Sequence, residues 1–380
     1  MAATDSKTAR KGHPRWALAL VVIGAILTFA AIFSIWINRQ VLNTDNWVDT
    51  STNLLQNEHV REQLADYLTA ELFADADLGE ELGESLPPRL APLATAAAGG
   101  LEQLAPQVAE RLMESPRFQA LWETANRKAH EELLTVLDGG SSAVSTENGV
   151  VKLKLGAILT ELGEGSGVGE ALVSKLPPEA GEITVIKSNE LSLAQKVAKL
   201  LRRLPILLTL LALLSFALAI YLSPRRRAAL RSVGFAFIIA GLLSFGLRSF
   251  AGTYVVGGLS RTSSVEPAVE AVWSIGTSML VTIATSTVVF GLLILIAAVL
   301  AGPTRPAVWL RRQIGPYVRE NPAALWGAAL LIFLILIAWA PVTAFHKPLG
   351  LLIFAALFAA GTELYRRQLV EENLNERSSP

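Results

Sequence analysis

The stretch WALALVVIGAILTFAAIFSIWI (16–37) decides the fold class. It holds 22 residues and no charged side chain. As an α-helix it rises about 33 Å, enough to cross a hydrocarbon core of roughly 30 Å. Trp16 and Trp36 bracket it. Indole rings favour the headgroup level, so their separation of about 30 Å fits an anchor at each interface. Lys7, Arg10, Lys11 and Arg15 precede the run, as in a signal peptide. The run is longer than a secretory one and no A-x-A pattern follows it, so it reads as an uncleaved signal anchor.

Five more apolar stretches follow: Leu204–Leu222, Ser232–Leu247, Val272–Ala301, Ala323–Ala340 and Leu349–Leu364. The chain has 380 residues, 52% of them hydrophobic and only 17% charged. These values exclude a disordered chain and point to a polytopic α-helical membrane protein. Ser232–Leu247 and Leu349–Leu364 are short, about 24 Å of helix each, and need flanking residues or a thinner bilayer. Val272–Ala301 is long and is expected to begin or end outside the hydrocarbon.

Orientation follows from Lys and Arg near the spans. With the N-terminus cytoplasmic, the inner segments carry Lys7 to Arg15, Arg225 to Arg231, Arg305 to Arg319 and Arg366 to Arg377, 15 basic residues in all. Eight fall near the outer ends of spans. Both termini are therefore expected inside, at the cytoplasmic membrane. The cluster Lys196, Lys199, Arg202 and Arg203 dissents and fits only if its cations reach outer headgroups. The expected layout is a cytoplasmic tail (1–15), the anchor (16–37), an extracytoplasmic domain (38–203), a five-helix membrane block (204–365) and a cytoplasmic tail (366–380).

The domain at 38–203 reads as mostly helical with a small β element. Asn43, Thr44 and Asp45 offer N-caps, and Leu54, Leu55, Val60, Leu64, Leu68 and Leu72 make an amphipathic stripe to Phe73. A second helical region runs from about Leu90 to Met113, weakened at Gly99-Gly100. Ser115-Pro116 restarts a helix that stops at Asp138-Gly139-Gly140. Val151, Leu153 and Leu155 alternate with Lys152 and Lys154, a strand period, and 183–186 gives a second strand. Two short helices are expected at 156–162 and 169–176. A last helix, capped at Asn189 or Ser192, meets no strong breaker before Pro205, so it is expected to run almost unbroken into the second span.

The zero net charge of the chain conceals a segregation. Residues 38–200 hold 13 Lys plus Arg against 25 Asp plus Glu, and the remainder carries the opposite excess. The acidic domain is a poor binder of nucleic acid through bulk charge.

VLNTDNWVDTSTNLLQNEHVREQLADYL (41–68), ALWETANRKAHEELLTVLDGG (120–140), LPPEAGEITVIKSNELSLAQ (176–195), AVWSIGTSML (271–280) and LAGPTRPAVWLRR (300–312) together resemble a group of poorly characterised actinobacterial integral membrane proteins. The resemblance implies the same layout of anchor, outer domain and multi-helix block. It implies no reaction and supplies no catalytic residues.

Chemistry-bearing motifs are sparse. The chain has no Cys, hence no disulfide, thiolate site or cysteine nucleophile. No G-x-S-x-G, Walker or dinucleotide fingerprint occurs. Of the four histidines, His59 lies one turn from Glu62 and beside Glu58, without the second His of a zinc motif. His130-Glu131-Glu132 reads as a structural polar cluster. GEGSGVG (163–169) reads as a turn. The centres of the six stretches lack Asp, Glu, Lys and Arg, so proton or ion coupling lacks its residues. Ser278, Thr282, Thr285 and Ser286 share one helix face, which either packs or lines a polar path; Ala355, Ala356, Ala359 and Ala360 form a small-residue face suited to helix contact or self-association. The expectation is therefore no catalytic, cofactor or metal site. The expected role is a non-enzymatic envelope scaffold whose partners are the bilayer, an envelope protein or lipid, and a second copy. A transporter or lipid-handling role is the alternative.

Overall fold

A computed structural model describes residues 13–74, 94–138, 145–147, 150–154, 182–260, 262–302, 305–339 and 351–367, except 353, 357 and 364. The chain is mainly α-helical, and among the described residues four helices are long and apolar enough to cross a membrane: Pro14–Val41, Leu193–Leu222, Arg226–Leu259 and Ser278–Leu300. The helices run α1 (Pro14–Val41), α2 (Thr44–Gln56), α3 (Glu58–Ala74), α4 (Ala94–Glu114), α5 (Pro116–Leu137), α6 (Ser188–Leu222), α7 (Arg226–Leu259), α8 (Glu266–Gly276), α9 (Ser278–Leu300), α10 (Arg305–Glu320) and α11 (Pro322–Trp339). The described residues between 351 and 367 are helical too. The expected short helices at 156–162 and 169–176 lie outside the described residues, as do GEGSGVG and His346.

Local chemistry sets the boundaries. Asn43 caps α2, its side chain accepting from the Asn46 amide. The amphipathic stripe from Trp47 to Phe73 is not one helix. Asn57 turns extended, with φ −75° and ψ 125°, and its Oδ1 accepts from the Val60 amide at 3.2 Å, ending α2 and starting α3. Ser115 caps α5 through the Phe118 amide with Pro116 in the first turn, and Asp138 closes it, as the sequence predicts.

The long helices bear out two sequence expectations and refine a third. The short apolar stretch at 232–247 lies inside α7, 34 residues long, or about 51 Å. It borrows flanking residues from both sides. The long stretch at 272–301 divides at Thr277 into α8 and α9. The last helix before the second span does continue unbroken: α6 has 35 residues, and Pro205 sits inside it. Ala323–Ile337 is a shorter apolar helix.

The chain divides into two compact units. The first comprises the described residues of Met1–Ser34, Pro205–Leu247 and Met279–Pro380. Its core joins Val21 of α1, Ala212, Phe216 and Ala219 of α6, and Val233 and Ala236 of α7. Glycines let backbones meet. Phe216 lies over Gly24, and α7 meets α9 at Gly234, Gly241 and Gly291. A Cβ on Gly291 would stand 2.8 Å from the Gly234 carbonyl oxygen, and one on Gly241 2.9 Å from that of Ala284. Small residues at such crossings are how membrane helices gain contact without a hydrophobic drive between them. Arg311 of α10 is buried and donates to the carbonyls of Leu300 and Gly302.

The second unit comprises Ile35–Leu204 and Arg248–Ser278. Leu55, Ala65 and Met113 centre its core, with Leu64, Ala109, Phe118 and Trp122 packed around them. The indole of Trp122 donates to the Ser51 carbonyl at 3.2 Å, tying α5 to α2. α8 packs on α2 and α3, which is why residues 248–278 join this unit.

Candidate functional site

The second unit gathers most of the chain's polar chemistry. His130 on α5 is 2% exposed and stacks on Trp47 of α2, ring centroids 5.0 Å apart. Its Nε2 lies 3.1 Å from the Val41 carbonyl and its Nδ1 3.1 Å from the Thr44 hydroxyl. A carbonyl only accepts, so Nε2 carries the proton and Nδ1 accepts from Thr44. Burial holds the imidazole below its usual range, opposed by the Val41 bond and by the nearby Glu131 carboxylate. This neutral histidine fastens α5 to the turn between α1 and α2. Glu131 is exposed, and neither it nor Glu132 joins the histidine's hydrogen bonds.

Glu58, His59 and Glu62 are all exposed on α3. Among the described residues no group of three His, Cys, Asp or Glu is placed to hold a metal. The buried cation between them, Arg61, was not singled out by the sequence. It reaches Glu114 at 2.6 Å, Glu110 at 3.4 Å and the Gln56 carbonyl at 3.3 Å, clamping α3 to α4. A glutamate pair spaced i, i+4 on α4 was the available signal.

Two hydroxyls of the sequence-predicted face bond to backbone: Ser278 donates to the Ile275 carbonyl and Ser286 to that of Thr282. Thr287, off that face, donates likewise to the Ile283 carbonyl. These bonds satisfy the hydroxyls on neighbouring turns of their own chain segment, which suits packing. In the alanine face, Ala355 and Ala359 join Trp326, Leu330, Phe333 and Phe358 around an apolar pocket of about 170 Å³. Ala356 and Ala360 are exposed.

A second apolar pocket, about 180 Å³, lies within the second unit. Trp36, Val255, Leu259, Val269, Val272 and Trp273 line it. The Trp36 indole donates to the Gly276 carbonyl at 3.2 Å. Beside it Arg248 Nε donates to the Thr277 hydroxyl at 2.7 Å, which donates in turn to the Trp273 carbonyl at 2.6 Å. Two residues past Trp36, Asn38 donates to the Leu201 carbonyl of α6 at 2.9 Å. α1, α6, α7 and α8 are thus linked around one level of the unit.

On α4, Leu104, Val108 and Leu112 recur every fourth residue and are 56%, 65% and 58% exposed. Among the described residues they form an exposed apolar stripe on a unit of net acidic composition. No family model, curated protein or solved structure matches the chain.

Proposed function

We propose that the chain is a multi-pass protein of the cytoplasmic membrane with both termini inside. Its first helix serves as an uncleaved signal anchor. Its extracytoplasmic domain, residues 38–203, acts as a non-enzymatic scaffold that binds an envelope protein. The stripe of Leu104, Val108 and Leu112 carries the partner-binding reading. Three neighbouring side chains of this kind, more than half exposed on an acidic surface, are the usual mark of a docking face.

The topology draws support from the second unit, which folds together the segments that the charge rule puts on one side, 38–203 and the connection after Leu247. Helix length agrees. α6 and α7 each rise about 50 Å, well beyond a core of roughly 30 Å, so each has turns to spare outside it. The small β element draws support from antiparallel pairing of Val150–Lys154 with Ser145–Glu147 on one side and Glu182–Lys187 on the other. The layout of anchor, domain and block is the one that the resemblance to the actinobacterial group implies. Transport has weaker support, because Ser278, Ser286 and Thr287 spend their hydroxyl protons on backbone carbonyls.

The test is affinity capture of the full chain in native lipid, compared with a variant carrying Leu104→Ser, Val108→Ser and Leu112→Ser. A protein retained stoichiometrically by the parent and lost from the variant supports the scaffold. Equal retention by both, or a parent that retains nothing, contradicts it.

A further inference from the structure

We propose that the Lys196–Arg203 segment of α6 is a binding face for anionic phospholipid headgroups of the outer leaflet. The inference rests on the multi-pass reading above and is independent of the protein-partner reading.

Lys196, Lys199 and Arg203 recur at i, i+3 and i+7, which puts them within about 60° on one face of the helix. All three are exposed. None forms an ion pair or hydrogen bond among the described residues, although residues 38–200 hold 25 acidic side chains. The fourth cation of the cluster makes the contrast. Arg202 lies about 60° beyond Lys199, towards the packed side of the helix, and pairs with Asp138 at 3.0 Å. The face that packs on the unit carries buried Ala198, and Gln195 there donates to the Val136 carbonyl at 2.9 Å. Next to the basic stripe, on the side away from that packing, Leu193, Val197 and Leu200 are 62%, 44% and 57% exposed. A basic stripe beside an apolar one is the pattern of a helix surface that meets the interface of an anionic bilayer.

The depth agrees with that partner. Trp36 marks the outer interface, about 30 Å of helix from Trp16. Asn38 is hydrogen-bonded to Leu201, so Leu201 and Arg203 stand close to the Trp36 level, with Lys199 and Lys196 one and two turns farther out. That range of about 10 Å spans the headgroup layer. Arg248 reaches the same level through Thr277, next to Gly276, which accepts the Trp36 indole. On that helix exposed Phe250 and Tyr254, ring centroids 4.7 Å apart, supply interfacial aromatics. Cations here contradict a simple count of inside and outside charge. Lipid phosphates as their counter-ions account for them.

The chain lacks Cys, so a single one can report locally. A bimane at Leu200→Cys in the full-length protein, reconstituted into phosphatidylcholine vesicles, is quenched by phosphatidylglycerol or phosphatidylcholine spin-labelled high on the acyl chain. The expected result is quenching by phosphatidylglycerol as if it were enriched about fivefold or more over phosphatidylcholine. That excess is expected to vanish in Lys196→Gln/Lys199→Gln/Arg203→Gln and to survive Arg117→Gln, an exposed cation on α5. Equal quenching by the two lipids, or an excess that survives the triple change, overturns the inference. A second probe at Leu214→Cys, exposed within the span, separates the two failures. Quenching there with none at Leu200 overturns the headgroup face alone. No quenching at either site overturns the membrane reading.

Discussion

His130 is structural, as the sequence suggests, but not through the neighbours that suggested it, Glu131 and Glu132. Its real partners are Val41, Thr44 and Trp47, more than 80 residues earlier. No local pattern announces a hydrogen bond of that sequence separation. Arg61 was hidden for the same reason, since its carboxylates lie on another helix. The His130 environment has a consequence for pH. The unfolded imidazole titrates near 6.5, and burial lowers the folded value. The unfolded chain therefore takes up the proton first. The stabilisation is complete above about pH 6.5 and is lost as the pH falls through the folded value. Thermal unfolding of the full protein between pH 7.5 and 5 is expected to show a falling midpoint. His130→Gln is expected to start lower, by roughly 1–3 kcal/mol for the orphaned partners, and to show a shallower pH dependence. An unchanged slope would count against the buried neutral imidazole.

Elements bounded by strong local signals were legible. Ser115-Pro116 and Asp138 delimit α5 as read from the sequence, and α6 runs through Pro205 as expected. The break at Asn57 was not legible, because the apolar stripe continues across it while the Asn side chain recaps the chain. The break at Thr277 lay inside a long apolar run, and hydropathy does not register the end of one helix and the start of the next. The alanines at 355–360 drew attention in the sequence; the close seam of Gly234, Gly241 and Gly291, on two helices about 50 residues apart, did not. A contact between distant glycines has no period within one segment. Gly291→Ala is expected to cost about 1–3 kcal/mol, because the methyl meets the Gly234 carbonyl and the Ile238 backbone amide. Gly246→Ala meets nothing within 4 Å and is expected to be neutral or slightly stabilising. Unfolding of both variants in the same detergent checks this, and an equal effect would refute close α7–α9 packing.

At the scale of the molecule, the sequence reading of a helical protein with several apolar helices holds for the described residues. Composition carries that far because apolar length is a property of each segment alone. The grouping of residues 248–278 with 35–204 was beyond it, since α8 joins that unit by packing on α2 and α3. The same grouping gives the proposed topology its sharpest consequence: everything in the second unit lies on one side of the membrane, and the connections between α6 and α7 and between α9 and α10 lie on the other. The most direct test uses single cysteines in the otherwise cysteine-free chain. Thr124→Cys and Ser263→Cys, both exposed in the second unit, and Arg225→Cys in the first connection and Arg305→Cys at the start of α10, both exposed, are treated in intact cells with a membrane-impermeant maleimide. The account predicts labelling at 124 and 263 without permeabilisation, and at 225 and 305 only after it. Labelling of 225 or 305 in intact cells, or protection of 124 or 263, would contradict it.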